Sequence, residues 1–283
     1  MEDQARHNYE YDVELDGDTA PARVVRMVGQ NKRVLEVGAG PGSITRHLHG
    51  HGGCAVTAVE LDAEAIKLLS PYCNKVYQAN LNDPDWPQLL SAEEGFDVVV
   101  AADVLEHLYD PWATLELMTR FVNEDGCLII SLPHVGHSSI AACLLQEDFE
   151  YRDWGLLDRT HIRFFGIKNI QDLFEDAGLK IISAEFVVVP PEDTEFSGVW
   201  EKLPAEVQNA LDTNRFGSVY QVVIKAVPEN AAGTGLQLSS LPVKARNENT
   251  NEKLISLARS HLSPATRQKI RTLISGIRSR LST

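Results

Sequence analysis

Residues 34–42 read Val-Leu-Glu-Val-Gly-Ala-Gly-Pro-Gly. A β-branched apolar run that ends in three alternating glycines predicts a buried strand, a tight turn and then a helix. Gly38, Gly40 and Gly42 let the backbone turn and approach a ligand closely, and the helix start beyond them offers unpaired N–H groups. A dinucleotide fingerprint would place its third glycine at position 43, where Ser43 stands. Glu36, two residues before the first glycine, would repel a pyrophosphate but suits a positively charged ligand. Glu60 follows 22 residues after Gly38, at the end of the next predicted strand, and is placed to accept hydrogen bonds from ribose hydroxyls.

The same alternation of short apolar runs and helical patterns continues down the chain. A helix is expected over 18–30, and strands over 33–37, 55–60, 75–78, 96–101, 127–132, 180–188 and 218–226. Helices are expected over 43–48, 63–69, 111–122 and 169–177, with a helical insertion around 199–211. This repetition predicts an α/β fold: a mostly parallel sheet with an antiparallel edge strand and helices on both faces. The domain should span 1–227, opened by a cover segment over 1–17. Polar residues 228–250 read as a flexible linker.

The glycine turn with Glu36 and Glu60 resembles the class I S-adenosylmethionine (SAM)-dependent methyltransferases, over about residues 25–227. The resemblance implies a Rossmann-like fold and SAM as cofactor. It implies that Glu36, Gly38 and Gly40 serve the cofactor's amino-acid portion, that Glu60 binds the ribose and that Asn80 reaches adenine. Leu61 would line the adenine pocket, and Ala102 and Asp103 would lie near the methionine part. Asn80 stands where many members carry Asp.

Methyl transfer from a sulfonium is a direct displacement that needs alignment and often removal of the acceptor's proton. Candidates belong on loops beyond the strands' carboxyl ends. On a helical turn Asp103, Glu106 and His107 share one face. Ubiquinone-pathway O-methyltransferases carry a similar acidic-x-x-Glu-His segment. A divalent metal there is the lesser reading, and no residue is expected to serve as a metal ligand. The segments Leu132-Pro133-His134-Val135-Gly136-His137 and Leu157-Asp158-Arg159-Thr160-His161-Ile162-Arg163-Phe164-Phe165 are similar to methyltransferases found with glycan and lipopolysaccharide assembly enzymes. That subgroup usually has Asn at the position of His134, so His137 and His161, with Asp103, are the expected catalytic residues. The resemblance implies O-methylation of a sugar or lipid-linked glycan. A quinone, another small molecule or a protein is the alternative acceptor, and a non-catalytic SAM-binding assembly protein is the rival class.

The net charge of −14 argues against a nucleic-acid partner. Yet residues 251–283 carry Lys253, Arg259, Arg267, Lys269, Arg271, Arg278 and Arg280 against Glu252 alone. Ile270, Leu273, Ile274, Ile277 and Leu281 make one apolar helical stripe there. A basic amphipathic helix suits an anionic membrane surface, an acidic protein partner or a homo-oligomer contact. The acidic start and four scattered cysteines point to a reducing cytoplasm, with peripheral attachment at the inner membrane face.

Overall fold

The computed structural model describes residues 9–244. Its centre is a seven-stranded sheet built from β1 (Arg33–Val37), β2 (Ala55–Glu60), β3 (Lys75–Gln78), β4 (Phe96–Ala102), β5 (Val122–Pro133), β6 (Leu179–Val188) and β7 (Val219–Pro228). The strands lie in the order β3-β2-β1-β4-β5-β7-β6. β1 pairs in parallel with both β2 and β4, so the strand order reverses between β1 and β4. The crevice at the carboxyl ends of these two strands is where an open sheet of this kind binds ligands.

β7 is the antiparallel strand, bonded to β5 on one side and β6 on the other. The reversal therefore sits one strand in from the edge, and β6 forms the edge itself. β5 also begins earlier than its apolar run, because Val122 pairs with Phe96 ahead of an irregularity in register.

Helices α1 (Ala20–Val28), α2 (Thr45–Gly50), α3 (Ala63–Leu69), α4 (Pro111–Thr119), α5 (Ser138–Leu145) and α6 (Ile167–Asp176) surround the sheet, with α7 (Ser197–Trp200) and α8 (Ala205–Asp212) before β7. α1 is capped by Thr19, whose hydroxyl accepts from the Ala22 N–H. One apolar layer packs Leu35, Val99, Leu128 and Ile224 against α4 and α6. A second layer packs Val34, Val98, Ile129 and Val223 against α1. The central strands are thus buried on both faces, as their continuous apolar runs require.

Residues 229–241 are not a linker. The Leu236 N–H donates to the Ile181 carbonyl at 2.8 Å, and Leu238 is wholly buried. Arg215 ties the carbonyls of Ser239 and Leu241 to the body. The polar composition hid two leucines that anchor the strap beside β6. The compact unit runs to Lys244. The expected basic helix over 251–283 lies outside the described residues.

Candidate active site

The turn after β1 behaves as its glycines require. Gly38 and Gly40 have φ of 71° and 55°, a left-handed region that side chains disfavour. A Cβ on Gly38 would lie 2.7 Å from Cγ2 of Val104, whereas one on Gly40 would meet nothing within 4 Å. The first glycine thus lets the loop pack on the turn after β4, and the second leaves its backbone open toward a cavity. That cavity occupies about 840 Å³ and is lined by Glu36, Gly38, Gly40, Glu60, Leu61, Asn80, Ala102 and Asp103. Every residue expected to bind the cofactor borders this one space.

Glu60 sits at the end of β2 and organises the cavity floor. Its Oε2 accepts from the Gly40 N–H at 2.7 Å, and Oε1 accepts from the N–H groups of Leu61 and Asp62 at 2.7 and 2.8 Å. A carboxylate has about four acceptor positions, so one remains for a ligand hydroxyl. Glu36 is buried, accepts from the Thr45 hydroxyl at 2.7 Å, and is pushed up to about 7 by burial. Leu61 is 57% exposed at the rim, and Asn80 is exposed with its Oδ1 accepting from the Asn82 N–H.

Asp103 has φ of 54°, unusual for a residue other than glycine. Its carboxylate accepts from the Ser131 hydroxyl at 2.8 Å and from Gln221 Nε2 at 3.0 and 2.9 Å. Burial raises its pKa while these donors oppose the rise. The side chain is braced into the wall on both oxygens. Ser131 and Gln221 were not expected from sequence. The signal for Gln221 was a lone amide before the apolar Val222-Val223-Ile224 run.

The two catalytic histidine candidates separate. His161 borders the cavity, its side chain 8% exposed, with Nε2 3.8 Å from Glu106 Oε1 and Nδ1 3.4 Å from the Leu156 carbonyl. Burial lowers its pKa, while Asp158 acts in the opposite sense. Its ring meets that of His107 edge-on, with centroids 4.8 Å apart. His107 Nδ1 lies 2.9 Å from the Thr160 hydroxyl, which donates to Asp158. The Thr160 hydroxyl also meets that of Tyr9 at 3.1 Å. Tyr9 and Tyr11 of the opening segment border the cavity, and the Tyr11 N–H donates to Ser43 Oγ.

His137 does not reach the cavity. It is fully buried at the start of α5, where Nδ1 accepts from the Ser139 N–H and Nε2 faces the Val189 carbonyl at 2.8 Å. Burial lowers its pKa to about 4. It is a helix cap, and a base role for it is set aside. α5 has no cap signature in the sequence, because a histidine fills the position where Ser, Thr, Asp or Asn usually announces a helix. His134 is likewise buried, with Nδ1 at the Val219 carbonyl.

Glu106 is the most unusual group in the cavity wall. It is completely buried, and among the described residues no other residue donates a hydrogen bond to either carboxyl oxygen. Burial first, then the charge of Asp103, drives its pKa well above the ordinary carboxyl value. One donor atom each from Glu106, His107 and His161 lies within 4.8 Å of the others.

Ubiquinone biosynthesis O-methyltransferases are similar to this chain in sequence. That of Psychrobacter arcticus is 28% identical over 157 residues, which cover 52% of this chain and 58% of that protein. That of Cereibacter sphaeroides is 27% identical over 170 residues, covering 56% and 64% respectively. The chain spans about half the length of the curated relatives it matches. A Thermotoga maritima SAM-dependent methyltransferase shares the fold, with a TM-score of 0.50 at 17% identity over 74% of this chain and 87% of that one. Residues 10–184 match the methyltransferase domain family. With the glycine turn, Glu36 in β1, Glu60 at the end of β2 and the reversed strand order all in place, the chain belongs to that methyltransferase family.

Proposed function

We propose that this protein transfers the methyl group of SAM to a hydroxyl oxygen of a small quinone-type acceptor. The observation that carries the proposal is the single cavity that joins the glycine turn and Glu60 at one end to His161 and Glu106 at the other. The open face of Gly40 and the remaining acceptor position on Glu60 fit SAM. Backbone groups of Gly38 and Gly40 with Glu36, Ala102 and Asp103 would hold its amino-acid portion, Glu60 its ribose, and Leu61 and Asn80 its adenine. When bound, SAM supplies an electrophilic methyl on a positively charged sulfur.

The chain's own residues then have three tasks. Asp103, fixed by Ser131 and Gln221, keeps the wall between cofactor and acceptor in one shape. His161, neutral through burial, takes the acceptor's proton at Nε2 as the oxygen attacks. Tyr9 and Tyr11 cover the cavity and keep water from competing for the methyl group. The quinone acceptor is supported by the names of the relatives. A glycan acceptor is the second reading, favoured by the 157–165 segment and by Trp154, 61% exposed, at the cavity rim. No described helix is long and apolar enough to cross a membrane. The basic residues of 251–283 support recruitment of the protein to an anionic lipid surface.

Incubating the full chain with methyl-labelled SAM and either a quinol or a glycan extract tests the acceptor. Label is expected on an aromatic oxygen, read by mass spectrometry. Label on sugar alone replaces the acceptor. SAM binding without transfer to any acceptor would favour the assembly-protein reading.

A further inference from the structure

A neutral histidine can take a proton at Nε2 only when its other ring nitrogen already carries one. His161 Nδ1 lies 3.4 Å from the Leu156 carbonyl. A carbonyl oxygen only accepts hydrogen bonds, so this contact favours the tautomer with the proton on Nδ1. Burial favours the neutral form of Glu106, which puts no charge beside Nε2 to hold a proton there. The Leu156 contact is at the long end of hydrogen-bond range, so its hold on the ring depends on Leu156 keeping its place.

What fixes Leu156 comes from another part of the chain. Its N–H donates to Glu195 Oε1 at 2.9 Å. Glu195 follows the short helix Pro191–Asp193 and precedes α7, in the helical insertion ahead of β7, and it stands behind the cavity wall rather than in it. Gly155 makes the approach possible. Its φ is 88°, and a Cβ there would lie 2.2 Å from Glu195 Oε1. The Tyr220 hydroxyl donates to both oxygens of Glu195, at 2.9 and 3.1 Å, which ties the carboxylate to β7 as well. Beneath these polar contacts Leu156, Leu157, Phe196 and Trp200 share an apolar cluster distinct from the two layers on the sheet. From there the loop reaches His161 through two turns. The Asp158 N–H donates to the Gly155 carbonyl at 3.1 Å, and the His161 N–H to the Asp158 carbonyl at 3.0 Å. Just beyond His161, the N–H groups of Ile162 and Arg163 donate to the Glu106 carbonyl at 2.9 and 3.0 Å. Glu195 thus anchors the start of the loop that carries the histidine.

We propose that Glu195 is a positioning residue for methyl transfer: by fixing Leu156 it selects the His161 tautomer whose Nε2 is free to take the acceptor's proton. The proposal rests on the reading of His161 as the base. In that step the acceptor oxygen's lone pair forms the new C–O bond. The C–S bond breaks with its electron pair returning to sulfur, and the hydroxyl proton passes to His161 Nε2 while Nδ1 keeps its own. The Leu156 carbonyl and the charge of Asp158 both favour the imidazolium so formed. The helical insertion thereby has a task in the chemistry although its carboxylate never touches cofactor or acceptor.

The test reads the tautomer directly, by long-range proton–nitrogen correlation NMR of the histidine rings in the full chain with S-adenosylhomocysteine. The His161 signals are those missing from His161→Gln. Native His161 is expected to carry its proton on Nδ1. Glu195→Met, which fills the same space without an acceptor, should move the ring toward the Nε2–H form. It should also slow label transfer from SAM to the quinol or glycan extract about tenfold, at unchanged S-adenosylhomocysteine affinity. Loss of the orienting carboxylate in a Ser-His-Asp triad costs about 10⁴-fold, and a hold exerted through the backbone is weaker. Glu195→Gln keeps an oxygen for the Leu156 N–H and should restore both tautomer and rate. A native ring protonated on Nε2 overturns the proposal with no variant needed. So does a native tautomer in Glu195→Met, or a Glu195→Gln protein as impaired as Glu195→Met. A full rate in His161→Ala, or no binding of S-adenosylhomocysteine, removes the base or cofactor reading and the proposal with it. An unmoved tautomer in Glu195→Met removes the proposal alone.

Discussion

Glu36 is buried in β1 and has one hydroxyl partner, so its carboxyl is held at about 7 rather than the usual 4.5. The folded state therefore binds more protons than the unfolded state between those values. Stability contributed by the neutral form is complete below pH 4.5 and is lost as pH rises toward 7. Between pH 5 and pH 8 the native protein should lose about 2 kcal/mol more than the Glu36→Gln variant. Urea denaturation of both proteins at the two pH values measures the difference. Parallel pH profiles would mean that Glu36 is already neutralised by a partner. His161 gives a second expectation at this scale: His161→Ala should slow methyl transfer about 10²–10⁴-fold and leave cofactor affinity intact. Rapid-quench kinetics beside calorimetry separates the two effects. Equal loss in both would make His161 a structural residue like His137.

At the scale of elements, the strap over 229–241 belongs to the domain. Leu238→Ala should destabilise the protein by about 2–4 kcal/mol, since the side chain is fully buried. A chain ending at Pro228 should be less stable than one ending at Lys244, as urea midpoints would show. Identical midpoints would restore the linker reading. These outcomes bear on how much the sequence disclosed. The parallel strands β1, β2 and β4 were legible because they are continuous apolar runs between helical patterns. α5 was not legible, because His137 caps it. The strap was hidden by its polar residues, since two leucines carry its attachment. In the site, Glu60 and Asp103 could be read from their places at the carboxyl ends of β2 and β4. The bracing by Gln221 depends on β7 lying beside β5, a pairing that no local pattern encodes. The isolation of Glu106 depends in the same way on the long-range return of residues 156–163 over it.

For the whole molecule, charge is the organising quantity. The chain carries −14 overall, yet residues 251–283 hold seven basic side chains against one acid. Each basic group near an anionic surface contributes about 1 kcal/mol, and salt screens that attraction. The full chain should co-sediment with phosphatidylglycerol vesicles at low salt, and a chain ending at Lys244 should not. Equal behaviour of the two chains would remove the membrane role. The central claim, however, is that the cavity is a SAM site organised by Glu60. Calorimetry of SAM with the native protein and with Glu60→Ala tests it most directly. The account predicts binding to the native protein and a loss of about 1.5–3 kcal/mol in the variant. No binding to the native protein, or equal affinity in the two, would contradict it.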